Sequence, residues 1–140
     1  MFVRTFKVKG EDVNDFMVMQ NFAYLEYSAK LLEVFLFEKG FSRLKLNRLK
    51  IGWQKTNDRL VNKKQLMFTD SFTVRLNFSD EKLNNLSRRM FVDFYDNKNE
   101  LCASLITELT WFDYNLWQKI ETPRKISQYF EPNHRLLRAV

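Results

Sequence analysis

Residues 2–9, Phe-Val-Arg-Thr-Phe-Lys-Val-Lys, alternate apolar and basic positions loosely at period two, which predicts a half-buried strand. Gly10, Glu11 and Asp12 turn the chain. From Asn21 the period becomes helical. Phe22, Leu25, Ala29, Leu32 and Leu36 share one face, and Leu31, Val34, Phe35 and Phe37 widen it to most of the circumference. A helix apolar nearly all round is predicted to be buried. Asn14, Asp15 or Asn21 suits its cap, and Gly40 suits the left-handed residue that ends it.

After Ser42 the pattern changes. Residues 46–60 mix apolar and basic positions around Ile51 and Trp53, and predict a strand with ragged ends. Residues 65–78 predict the clearest strand, with Phe68, Phe72, Val74 and Leu76 at even spacing. Residues 79–85 read as a turn, residues 88–95 as a strand, and residues 96–99 as a hairpin loop. A long last strand covers 101–114, followed by a short helical stretch near Trp117, Pro123 and a basic tail over about 124–140. Helix and strands are segregated along the chain, which predicts an α+β fold.

The 140 residues suit one domain, and with 45% apolar residues and 14 Phe the chain is too hydrophobic to stay disordered. Glu26, Lys30, Glu33 and Glu38 interrupt every run long enough to span a membrane, and residues 1–12 lack a signal-peptide pattern. With a single cysteine, Cys102, a cytoplasmic location is expected. One His (His134) and one Cys exclude a zinc site of the usual ligand count, and no Gly-rich phosphate loop is present. The net charge of +6 fits an anionic partner or simple solubility.

The run from Asp12 to Tyr24 carries a resemblance. Asp-Val-Asn-Asp-Phe-Met-Val-Met-Gln-Asn-Phe-Ala-Tyr is similar to the Asp-x-Asp-x-x-Gly-His-x-Asn-Asn-x-x-Tyr motif of hot-dog-fold acyl-CoA thioesterases of the 4-hydroxybenzoyl-CoA thioesterase group. Glu26 and Lys30 fill the acidic and basic places on the helix. Thr69-Asp70 before Phe72 resembles the family's Gly-Asp step, and Ile120 to Pro123 its exit. The resemblance implies an antiparallel sheet of about five strands wrapped around one long helix. It also implies a homodimer or homotetramer with the pocket at the subunit junction. The thioester carbonyl would sit beside the turn from Asn14 to Asn21.

Two departures bear on the chemistry. The family's catalytic carboxylate falls on Asn14, and its Gly-His pair on Met17 and Val18. An amide cannot act as a general base or carboxylate nucleophile at neutral pH. Asp15 beside it and Glu26 on the helix are the remaining candidate acids, with Asp12 two residues upstream. On the residues alone, Asp12, Asn14 and Asp15 equally suit a turn and a helix cap, and Glu26 an ion pair with Lys30. Asn21, Tyr24 and Met17 are expected to contact the acyl thioester, and Arg59 and Lys63 the nucleotide end of coenzyme A. Coenzyme A then enters as part of the substrate and no other cofactor is expected. The alternative is a non-catalytic hot-dog module that binds acyl-CoA, acyl carrier protein or another protein. A nucleic-acid binder is the weakest reading, because no RNA-reading motif accompanies the basic residues.

Overall fold

The computed structural model describes residues 2–130 apart from Asn85, and for residues 80–84 the backbone alone. Of the basic tail, residues 131–140, with His134, lie outside the described residues. The elements run β1 (Phe2–Lys7), α1 (Asn21–Glu38), α2 (Arg43–Leu49), β2 (Ile51–Asn62), β3 (Ser71–Asn84), β4 (Ser87–Asp96), β5 (Leu101–Asp113), β6 (Gln118–Ile120) and α3 (Arg124–Ser127). The strands form one antiparallel sheet in the order β1-β3-β4-β5-β2, with β6 added to the end of β5.

The alternation in the strands decides which face of the sheet meets α1. Phe72, Val74 and Leu76 of β3, Met90, Val92 and Phe94 of β4, and Leu105, Leu109 and Trp111 of β5 are all buried. They face Ala23, Tyr24, Tyr27, Leu31, Leu32, Phe35 and Leu36 of the helix. Edge-to-face ring pairs lock the layers: Tyr24 on Phe94 at 4.9 Å, Tyr27 on Phe72 at 5.0 Å, and Phe2 on Phe35 at 5.3 Å. Gly40 adopts φ 92° after the helix, the left-handed position its place in the sequence predicts.

The helix is not buried all round. Phe22 and Phe37 are exposed, Val34 is half-buried, and with Glu26 and Lys30 they form an outer stripe that the sheet of one copy does not reach. Residues 46–49, expected to open a strand, instead belong to the helix Arg43–Leu49. The Ser42 hydroxyl accepts the Lys45 amide at 3.1 Å as a helix cap, and Lys50 closes the turn at φ 60°. The alternating Leu and basic residues of this segment imitate a strand, although only Leu46 is buried.

β3 starts at Ser71 because residues 66–68 bond elsewhere. Leu66 O accepts the Met19 amide at 2.8 Å, and the Phe68 amide donates to Met17 O at 2.8 Å. It continues to Asn84, past the expected turn, by pairing Lys82 with Arg88 and Asn84 with Ser87. Trp117 lies in a left-handed turn before β6, not in a helix.

Candidate functional site

The chain between β1 and α1 forms a small hairpin that delivers the first turn of the helix to the sheet edge. Val13 bridges Met19, and Val18 bridges Met67. Asn14 sits at the pivot. Its side-chain oxygen accepts the Phe16 amide at 2.9 Å and the Val18 amide at 3.1 Å. Its backbone amide donates to Val18 O, and its carbonyl accepts the Met17 amide. The residue at the family's acid position therefore organises the turn, and Met17 completes it at φ 65°. Asp15, Phe16 and Met17 form its exposed crest.

Asp12 does different work. It is buried, and its Oδ2 accepts the Lys9 amide at 2.9 Å and the Tyr27 hydroxyl at 2.6 Å. The Gln20 amide returns to Asp12 O at 2.9 Å, so Asp12 ties the hairpin to α1 from the core side. Burial, with the Asp12 carboxylate second, drives the Tyr27 phenol well above its ordinary pKa, which keeps it protonated as the donor.

The N-terminus of α1 carries no cap from the residue in the cap position. Gln20 donates its side-chain amide to Val18 O at 3.0 Å, and its side chain makes no capping bond to the helix. That helix end opens on a groove of about 630 Å³ lined by Asn14, Gln20, Asn21, Tyr24, Asn62 and Lys63 among others. A helix start carries N–H groups without intrahelical partners and a partial positive charge; here the Ala23 amide is satisfied by Gln20 O at 3.0 Å. Asn62 at the end of β2 donates to Asn21 Oδ1 at 3.0 Å and joins the groove's two walls. Lys64 is clamped between Asp96 at 2.8 Å and Glu100 at 2.6 Å, which fixes the loop carrying Lys63. The Lys64 ammonium, and two backbone amides after it, hold the Asp96 carboxyl down to about 2. Tyr24 is buried at the back of the groove. Burial pushes its phenol up to about 12, with the Cys102 thiol adding and a Leu66 backbone hydrogen bond opposing, so it is a neutral donor at pH 7.

Of the residues singled out in the sequence, Asn14, Asn21, Tyr24 and Lys63 come together here. Asp15 and Met17 stay on the exposed crest beside Asn14. Glu26 lies on the outer stripe of α1, and Arg59 is exposed on β2 just after its bulge. Glu26 and Lys30 form no ion pair among the described residues; the Lys30 ammonium sits 5.6 Å from the centre of the Phe6 ring. Gln20, Asn62 and Gln65 also line the groove, and scattered amides give no signal in sequence.

Several of the basic residues are already engaged, which removes them from any broad cationic surface. Arg4 pairs with Glu38, Arg43 with Glu33 at 3.0 Å, and Lys64 as above. Lys55 is turned inward from β2, its side chain only 9% exposed, and donates to Ser28 Oγ at 2.5 Å. Burial lowers its pKa, with Asp58 at 3.9 Å acting against the shift. Among the described residues β2 is the last strand of the sheet and its outer side is unpaired. Its Asn62 end meets the groove, and its Ile51 end borders a second hollow of about 330 Å³ between Leu36, Phe41, Leu46 and Trp53.

The profile of the thioesterase-like superfamily matches residues 8–130. A Staphylococcus aureus protein solved in complex with CoA superposes with a TM-score of 0.83 at 16% identity, over 94% of this chain and 86% of that one. Gentisyl-coenzyme A thioesterase gives 0.78 at 22% identity, over 91% and 98%. The 1,4-dihydroxy-2-naphthoyl-CoA thioesterase of Synechocystis gives 0.81 at 12%, over 92% and 94%. No curated protein sequence matches the chain. The curled antiparallel sheet around α1 is the hot-dog fold, shared with these structures. With the profile spanning most of its length, the chain belongs to the thioesterase-like superfamily.

Proposed function

We propose that this protein hydrolyses an acyl-CoA or acyl-carrier thioester in the groove at the start of α1. The observation that carries the reading is the uncapped helix end opening beside Asn21, Tyr24 and Lys63, in a chain of this superfamily. The thioester carbonyl oxygen accepts hydrogen bonds from the first N–H groups of α1, which stabilise the charge that develops on it. A carboxylate, Asp15 or Glu26, takes a proton from water. That water adds to the carbonyl carbon, the C–S bond breaks, and the thiol leaves with the proton. Lys63 and Arg59 hold the phosphates at the mouth, and Met17 covers the acyl group from the crest.

A second copy completes the site in this reading. The unpaired outer side of β2 and the outer stripe of Phe22, Glu26 and Phe37 are what support a dimer. Glu26 of either copy would then face the junction.

The test is turnover of a panel of acyl-CoA thioesters, with light scattering for the oligomer. Asp15→Ala or Glu26→Ala is expected to lower kcat by about a hundredfold or more. If both variants keep full turnover, the assignment of the acid fails. A monomer refutes the shared pocket.

A second reading rests on Asn14, whose side-chain oxygen is fully engaged in the turn. The protein would then bind an acyl thioester, or the acyl carrier that bears it, without turnover. Saturable binding without hydrolysis at any chain length decides for this reading. Absence of both binding and hydrolysis overturns the two together.

A further inference from the structure

We propose that the turn joining β5 to β6 is a docking knob for a bilayer surface that carries anionic lipid. The turn is tightly built. Asp113 Oδ1 accepts the amides of Asn115 at 2.8 Å and Leu116 at 3.0 Å. The Tyr114 amide donates to Lys50 O at 2.8 Å. The Tyr114 ring lies across Gly52, where a Cβ would stand 2.8 Å from its hydroxyl. Phe112, Tyr114 and Trp117 form a triangle with centroid spacings of 5.1, 5.4 and 6.2 Å.

What this scaffold presents is apolar. Tyr114, Leu116 and Trp117 are 51%, 62% and 75% exposed, and Leu49 is exposed beside Lys50. Trp117 stands at φ 53°, a left-handed conformation that Gly or Asn adopts with little strain and a bulky side chain does not. The chain thus carries backbone strain at a residue that it leaves three-quarters exposed.

The rim of the knob is cationic. Lys50 is bonded to the turn itself, Arg48 is two residues upstream on α2, and Lys119 pairs with Phe112 across the β5–β6 ladder. The acids nearby are Asp113, whose Oδ1 is engaged with the turn amides, and Glu121 just beyond β6. Trp and Tyr rings with Leu at the tip suit the boundary between headgroups and acyl chains, and Lys and Arg around them suit anionic headgroups. Exposed aromatic and aliphatic side chains with lysines beside them suit the headgroup boundary of an anionic bilayer. Among the described residues no helix is long and apolar enough to cross a membrane.

The test uses the full chain with vesicles of phosphatidylcholine alone and of phosphatidylcholine mixed with phosphatidylglycerol. Co-sedimentation with the mixed vesicles is expected, with a blue shift of tryptophan emission that Trp117→Phe abolishes. Leu116→Ser combined with Trp117→Ser should weaken partitioning by about tenfold or more. Lys50→Glu with Lys119→Glu should remove the preference for anionic lipid. All these side chains are exposed, and circular dichroism confirms that each variant folds. Failure of the native protein to sediment with mixed vesicles overturns the proposal. So does equal binding by the serine variant, or a native oligomer that the serine variant dissociates in light scattering, which would make the knob a contact between copies.

Discussion

Replacing Asn14 separates its structural role from its chemical one. Asn14→Ala deletes an acceptor for two backbone amides, at 2.9 and 3.1 Å, in a turn that is otherwise closed by backbone bonds. Each such bond contributes about 0.5–1.5 kcal/mol net, and exposure lets water replace part of it, so the loss should be about 1–2 kcal/mol. For a chain of this size that lowers Tm by about 3–6 °C. Asn14→Asp keeps an oxygen at the same point, strengthens both bonds by its charge, and places that charge near the positive end of α1. Its Tm should lie within about 2 °C of the native value. Scanning calorimetry on the three proteins, run beside hydrolysis of acyl-CoA thioesters, reads both effects. The expected pattern is a destabilised Ala variant and a stable Asp variant whose turnover exceeds the native level. An Ala variant that melts with the native protein, or an Asp variant that melts with Ala, refutes the assignment of Asn14 as the turn's organiser.

Tyr27→Phe should cost about 1–3 kcal/mol in urea melts, because Asp12 keeps its burial and loses its hydroxyl donor; a loss below about 0.5 kcal/mol contradicts the clamp. Tyr27 and Tyr24 both have folded pKa values raised above the ordinary 10.0 of a tyrosine, so their contribution is complete below pH 10 and is lost as pH rises beyond it. Alkaline melts should therefore be shallower for Tyr27→Phe than for the native protein. Lys55→Met should be neutral or stabilising at pH 7, since Ser28 still donates to Leu25 O and a desolvated charge is removed. The lowered Lys55 pKa means that the native protein gains on the variant as pH rises toward 10.5, and a gap in urea midpoints that does not narrow argues against a buried charge.

The architecture was legible because its signals were periodic. The helical spacing of residues 21–39, the even spacing of Phe72, Val74 and Leu76, and Gly40 after Lys39 each named an element that formed. The errors fell where one pattern serves two structures. Leu and basic residues alternate over residues 43–49 as in a strand, and the Ser42 cap that makes them a helix is a single residue. Phe68 keeps the spacing of β3, yet its amide is taken by Met17 O, a partner 51 positions away that no local pattern reveals. At the site, the gathering of Asn14, Asn21 and Tyr24 followed from one contiguous motif. Lys63 arrived only as one of many basic residues, and Gln20, Asn62 and Gln65 not at all, because the groove draws them from the approach to α1 and from the end of β2 with the loop after it.

The open first turn of α1 has a practical consequence. Gln20 gives that turn no side-chain acceptor, so a compound that brings a carbonyl or phosphate oxygen there would add one, and only in the folded state. Melting temperature then becomes a gauge of occupancy, so a thermal screen of thioesters and their carriers can find the natural guest before any reaction is known.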